Sequence, residues 1–148
     1  MPNQNPEQIA IDNIERQLTA CGWIIQGIRQ VNIHAGTGVA IKEYLTDVRP
    51  ADYVPFVERK PCGLIEAKRE EEGHKLTIHE DQSESYTTVK FKHLKNDPLP
   101  FVYISTGEIT HFTNFTDPKS RAREVFSFHR PETLKQTILK KVFEGRLA

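Results

Sequence analysis

Cysteine is scarce. Cys21 and Cys62 are the only two in 148 residues, far apart and in no zinc or redox spacing. That excludes a disulfide scaffold and a cysteine-rich metal module, and leaves two free, buried thiols in a reducing compartment. No apolar run approaches the roughly 18 residues of a membrane span. The opening Met1-Pro2-Asn3-Gln4-Asn5-Pro6 has neither the basic nor the apolar part of a secretory signal. A cytoplasmic protein with no membrane contact is therefore expected. Internal repeats and low-complexity tracts are missing, as is the G-x-x-x-x-G-K-[ST] phosphate loop, so ATP binding is not expected. Net charge is missing too: 20 basic residues face 20 acidic ones. Affinity for nucleic acid comes mainly from phosphate neutralisation by Lys and Arg. A neutral chain holds such a polymer weakly unless its charges are sorted between faces or a larger assembly delivers the polymer.

What is present reads as an alternation of helices and strands. Ile9, Ala10, Ile14, Leu18 and Cys21 recur every three or four residues, a helical stripe. Asn5 is the expected N-cap, Pro6 the first helical residue and Gly22 the stop. Trp23-Ile24-Ile25 continues as a buried extended segment, and Val39 to Tyr44 reads as a strand after Gly36-Thr37-Gly38. Two short apolar runs, Tyr53 to Val57 and Cys62 to Ile65, flank the polar Glu58-Arg59-Lys60-Pro61, the pattern of a hairpin. Pro55 lacks an N–H, so an edge position or a bulge is expected there. Helical periodicity returns from about Leu76 to Phe91. Phe101 to Ile104 and Ile109 to Phe115 read as paired strands around Thr106-Gly107, and Pro131 opens a last helix. The sum is one α/β domain over residues 1–148, a mixed β-sheet flanked by helices on both faces.

Chemistry concentrates on the hairpin. Asp52 begins its first strand and Glu66-Ala67-Lys68 ends its second, with residues 53 to 65 between them. A return of that length brings the start of one strand beside the end of the next, within a cation's reach. Glu66 and Lys68 are two apart and share a strand face; the Ala67 carbonyl is a further oxygen. Two carboxylates and a carbonyl suit magnesium, which prefers hard oxygen ligands and keeps several waters. A neighbouring ammonium suits the orientation of an attacking water. Gln82 and Tyr86, four apart, share a helix face that lies over the strand ends. The six histidines show no H-E-x-x-H spacing and read as solvated or structural. Lys90, Lys92, His93 and Lys95 form a modest basic cluster.

Pro50-Ala51-Asp52-Tyr53, Gly63-Leu64-Ile65-Glu66-Ala67-Lys68 and Gln82-Ser83-Glu84-Ser85-Tyr86 together resemble the PD-(D/E)xK nuclease superfamily with its Q-x-x-x-Y motif. More narrowly, the chain resembles the amino-terminal nuclease region of the restriction (R) subunit of type I restriction-modification enzymes. Cys21-Gly22-Trp23, Lys42-Glu43-Tyr44 and Phe126-Ser127-Phe128-His129-Arg130-Pro131 fit as well. The resemblance implies a restriction-endonuclease-like fold and hydrolysis of double-stranded DNA at sites the domain does not itself read. It implies Mg2+, or Mn2+, as cofactor. Asp52 and Glu66 would be metal ligands, Lys68 the catalytic lysine, and Gln82 and Tyr86 auxiliary. Glu15 stands in the first helix where an acid often sits near the metal. Partners would be the modification and specificity subunits and the R subunit's motor domains, for which this chain is too short. It is expected to be a fragment or a stand-alone relative. Two other readings stay open: a repair or junction nuclease of the same superfamily, and a non-catalytic module that docks subunits.

Overall fold

The computed structural model describes residues 5–44, 46, 51–69, 99–119 and 121–147, with side chains described as far as 140. Helix α1 spans Pro6–Ala20. The Asn5 side chain accepts from the Glu7 amide at 2.9 Å, a cap whose loss costs a helix about 1 kcal/mol. Ala10, Ile14 and Leu18 form its buried stripe, and Gly22, at φ +100°, ends it in the left-handed region where glycine meets no penalty.

One sheet follows. Its strands are β1 (Ile24–Gly27), β2 (Gly38–Tyr44), β3 (Ala51–Val57), β4 (Lys60–Pro61), β5 (Gly63–Ala67), β6 (Phe101–Ser105), β7 (Thr110–Asn114) and β8 (Arg123–Val125). The order across the sheet is β1-β2-β3-β5-β6-β7-β8, with β4 added to β3. The β1–β2 and β5–β6 pairs are parallel; the other ladders are antiparallel. Helix α2, Pro131–Leu147, closes the chain. The architecture is thus the expected α/β one, a mixed sheet with helices packed on it.

Ile14 and Leu18 of α1 and Leu134 of α2 meet Trp23, Ala40, Tyr53, Ile65, Tyr103 and Phe112 in one apolar cluster. Both described helices therefore cover the same face. Truncating Leu18 or Leu134 to alanine there carries the usual penalty of about 2–5 kcal/mol for a buried large side chain. A second cluster, built on Val39, Ile41, Val54, Phe56, Leu64 and Leu99, occupies the opposite face. The helix expected from about Leu76 to Phe91 lies outside the described residues. Ile24 departs from expectation: β1 is an edge strand, so this residue is exposed rather than buried.

Pro55 sits in a strand flanked on both sides, so the edge alternative fails. The bulge is there instead. Phe56 pairs with Pro61 and Val57 with Lys60. A continued ladder would set Tyr53 opposite Leu64, yet it stands opposite Ile65. One extra residue has been absorbed around Cys62, whose amide bonds the Pro55 carbonyl at 2.9 Å. The turn before it runs through Glu58 and Arg59 at φ 49° and 70°, the sign a two-residue hairpin turn demands. Glu58 is fixed there by Lys135 of α2 at 2.9 Å. Past the bulge, Gly63 lets β5 and β6 approach closely: a Cβ at that position would stand 2.4 Å from the Phe101 carbonyl oxygen.

The segment before α2 is pinned by three polar contacts. Cys21 Sγ donates to the Phe128 carbonyl at 3.2 Å, Trp23 Nε1 to the His129 carbonyl at 2.9 Å, and the Tyr103 hydroxyl meets His129 Nδ1 at 2.6 Å. Burial holds the Tyr103 phenol well above its ordinary pKa, and burial, then the Arg123 charge, lowers that of His129. Both shifts favour an uncharged phenol and an uncharged imidazole in this contact, whose donor is set by the histidine tautomer.

Candidate active site

A strand's side chains alternate between faces, so the register slip at Cys62 decides which residues meet. With Tyr53 opposite Ile65, the next pair along the same antiparallel register is Asp52 and Glu66, on one face. Without the slip Asp52 would stand opposite Ile65, and Glu66 would point to the other face.

Tyr53 and Ile65 are the one paired position between β3 and β5, and beyond it the strands part. β5 continues against β6, where Ala67 pairs with Ser105 and the Lys68 amide donates to the Ser105 carbonyl at 2.8 Å. On its other side β5 has lost a backbone partner. A side chain replaces it: Asp52 Oδ2 accepts from the Ala67 amide at 2.7 Å. A residue's N–H and C=O leave an extended strand on the same side, so the Ala67 carbonyl also faces the Asp52 side.

Glu66 is 3% exposed. A carboxylate that far from water demands positive charge or hydrogen-bond donors around it. Lys68, half-buried, lies two residues along on the same strand-face alternation. The donor set assembled here is two carboxylates and one carbonyl. All are hard oxygens, and each carboxylate has several lone-pair directions to offer. That set fits a magnesium or manganese ion, which takes one or two protein carboxylates and fills the rest with water and phosphate oxygens.

Glu15 is on the helix side. It pairs with Lys42 Nζ at 2.7 Å, and Lys42 stands opposite Tyr53 across β2 and β3. The Tyr53 phenol is raised far above its ordinary pKa by burial first, then by the negative field of Glu15, Asp52 and Asp12. Those three carboxylates therefore act on one small region. Among the described residues, however, no group of three or more His, Cys, Asp and Glu side chains could hold a metal ion. The arrangement gathers Asp52, Glu66 and the Ala67 backbone. It leaves Glu15 in an ion pair with Lys42 on the helix side of the sheet. Gln82 and Tyr86 lie outside the described residues, as do His74, His79 and the basic cluster at Lys90, Lys92, His93 and Lys95.

Sequence reasoning quoted Lys42 and Tyr53 but gave neither a role at the site. Their signal was present: Tyr53 adjoins Asp52, and Lys42 falls on the strand next door. His111 was read as solvated or structural. It is 9% exposed, and its buried Nδ1 has no hydrogen-bond partner. It stands in the row Glu66–Ile104–His111 across β5, β6 and β7, on the carboxylates' face.

No helix among the described residues is long and apolar enough to cross a membrane. Set against known proteins, residues 26–138 match the family described as "Type I restriction enzyme EcoKI endonuclease subunit second domain". The matched region begins after α1, so it contains Asp52, Glu66, Lys68, Gln82 and Tyr86 but not Glu15. No curated protein matches the sequence. Among solved structures there is a likeness to the type IIG restriction endonuclease BpuSI, with a TM-score of 0.48 and 19% identity. It covers 76% of this chain, which spans 11% of that one.

Proposed function

This chain belongs to the family of the type I restriction enzyme EcoKI endonuclease subunit second domain, and from that footing we propose that it is a metal-dependent endonuclease domain acting on double-stranded DNA. Asp52, Glu66 and the Ala67 carbonyl are its ligands for Mg2+ or Mn2+. One observation carries the reading: the contact from Asp52 Oδ2 to the Ala67 amide, at the point where β3 and β5 part. That contact immobilises one carboxylate beside the other on a shared face. A preset geometry is what a catalytic constellation needs and what a solvated surface pair does not have.

The ion, when bound, supplies a Lewis acid that offsets charge on the phosphate and makes water a better nucleophile at neutral pH. The rest falls to this chain's residues. Asp52 and Glu66 hold the position, with the Ala67 amide keeping Asp52 from turning away. The Lys68 ammonium lies against the phosphate, offsets the charge that builds on it and orients the water for in-line attack. Gln82 and Tyr86 are auxiliary, as the motif they form in the sequence implies, and Glu15 with Lys42 stabilises the site from the helix side without ligating. Sequence is not read here; the duplex is delivered by the modification and specificity subunits and the motor domains, and ATP is consumed there.

Mn2+ binding to the chain, followed by the paramagnetic resonance of the free ion, tests the ligands. Endonuclease activity of the assembled enzyme tests the catalyst. Asp52→Asn and Glu66→Gln are expected to weaken Mn2+ binding at least tenfold and to abolish cleavage. Lys68→Ala is expected to abolish cleavage while leaving Mn2+ binding within a few-fold. Full cleavage by a folded Glu66→Gln enzyme would defeat the assignment, and a folded chain that takes up no Mn2+ would favour a docking module.

A further inference from the structure

β8 was not anticipated from the sequence, and its placement ties a remote corner of the chain to the carboxylates. The β5–β6 pair is parallel, and β6–β7 and β7–β8 are antiparallel. β8 therefore runs in the same direction as β5, and the two strands end at the same edge of the sheet. The registers join Ala67, Ser105, Thr110 and Val125 in one transverse row. Phe126 follows Val125 just as Lys68 follows Ala67. Three strand spacings of about 4.8 Å separate the two, roughly 14 Å in all. The major groove of B-DNA is about 12 Å wide. Phe126 thus stands about one groove width from Lys68, within the span of a duplex that has a phosphate at Asp52 and Glu66.

Phe126 has a relative exposure of 104%, the largest of any exposed apolar side chain described. So bare a phenylalanine has no role in the core. Its surroundings are basic: Lys119, Arg121, Arg123 and Arg130 are all exposed, against two acids, Asp117 and Glu124, between residues 117 and 130. None of the four forms an ion pair among the described residues. The chain as a whole is neutral, so this corner is a place where charge has been sorted. Its rigidity is built in, because Phe128 and His129, directly after it, are tied to Cys21, Trp23 and Tyr103.

We propose that the β8–α2 corner is a second DNA contact of this domain. Arg121, Arg123 and Arg130 meet backbone phosphates, and Phe126 packs against the duplex as an apolar wedge about one groove width from the scissile phosphate. Cations of this kind supply affinity that falls with salt, and apolar side chains at base steps kink or unstack the duplex without reading sequence. The proposal rests on the nuclease reading for its choice of duplex DNA as occupant.

Anisotropy of a fluorescent 20-base-pair duplex, titrated with the whole chain in calcium at several salt concentrations, tests it. The triple variant Arg121→Ala, Arg123→Ala, Arg130→Ala is expected to weaken binding at least tenfold. It should also flatten the dependence of log K on log salt by about 2 to 3, since each phosphate contact contributes about 0.9. Phe126→Ala should weaken binding several-fold with the salt slope unchanged, and Phe126→Trp should restore it. All four side chains are exposed, so circular dichroism should show the fold intact. Duplex binding indifferent to both variants, or no duplex binding by the native chain, overturns the proposal. Mn2+ uptake by the same variants separates the outcomes: unchanged uptake with unchanged DNA binding sinks the corner and leaves the carboxylate site standing.

Discussion

Asp52 and Ala67, fifteen residues apart, are joined by a 2.7 Å hydrogen bond from a main-chain amide to a carboxylate oxygen. The contact substitutes for a ladder bond at the point where two strands separate, and so couples stability to the geometry of the site. The two roles respond differently to substitution. Asp52→Ala leaves the Ala67 amide without its acceptor, and a charge-assisted bond of this kind in a half-buried setting contributes about 1–2 kcal/mol. Asp52→Asn keeps an acceptor oxygen of the same shape. The asparagine variant should denature within about 0.5 kcal/mol of the native chain and be inactive; the alanine variant should be both inactive and less stable. Urea denaturation beside endonuclease assays separates them, and equal destabilisation by both would contradict the coupling.

His129 gives the chain an acid limit. Burial and the Arg123 charge lower its pKa from the ordinary 6.5, and its Nδ1 shares a hydrogen bond with the Tyr103 hydroxyl. The unfolded chain therefore takes up this proton more readily than the folded one. Its contribution to stability is complete above about pH 6.5 and is lost as pH falls through the lowered value. Melting temperature should drop with acidification in that window, and His129→Gln should flatten the drop. A melting curve whose acid slope survives the substitution would assign the effect elsewhere.

The two thiols should differ in reactivity. Cys62 is buried and its thiol is pushed well above the ordinary range, while Cys21 is half-buried and engaged with the Phe128 carbonyl. The thiolate is the reactive form. Native protein should react with a disulfide reagent at Cys21 alone and slowly, and at both positions once unfolded. Two fast equivalents in the native state would mean that the bulge at Cys62 is open to solvent.

Much of this was legible in the residues, for reasons that can be named. Asn5, Pro6 and Gly22 are local signals acting on their own neighbours, and α1 runs between them as they require. The Asp52 and Glu66-Ala67-Lys68 pairing was legible because a short apolar return has few places to go. Pro55 announced a defect but not which kind, since whether a strand is central depends on distant β2 and β5. β8 stayed hidden: Arg123-Glu124-Val125 has no apolar alternation, and only its ladder to β7 makes it a strand. Ile24 was misjudged for the same reason, because edge position is a property of the sheet and not of the tripeptide.

The one-residue slip around Cys62 also governs how this hairpin tolerates change in length. Facing alternates with every residue, so adding or removing a single residue within the extended run from Gly63 to Glu66 would reverse the acid's side and dismantle the pair, however conservative the sequence. Changes by two restore it. The turn through Glu58 and Arg59 lies outside that run and can take up an added residue as loop, so tolerance of insertions is set by position along the hairpin, which no inventory of individual side chains would reveal.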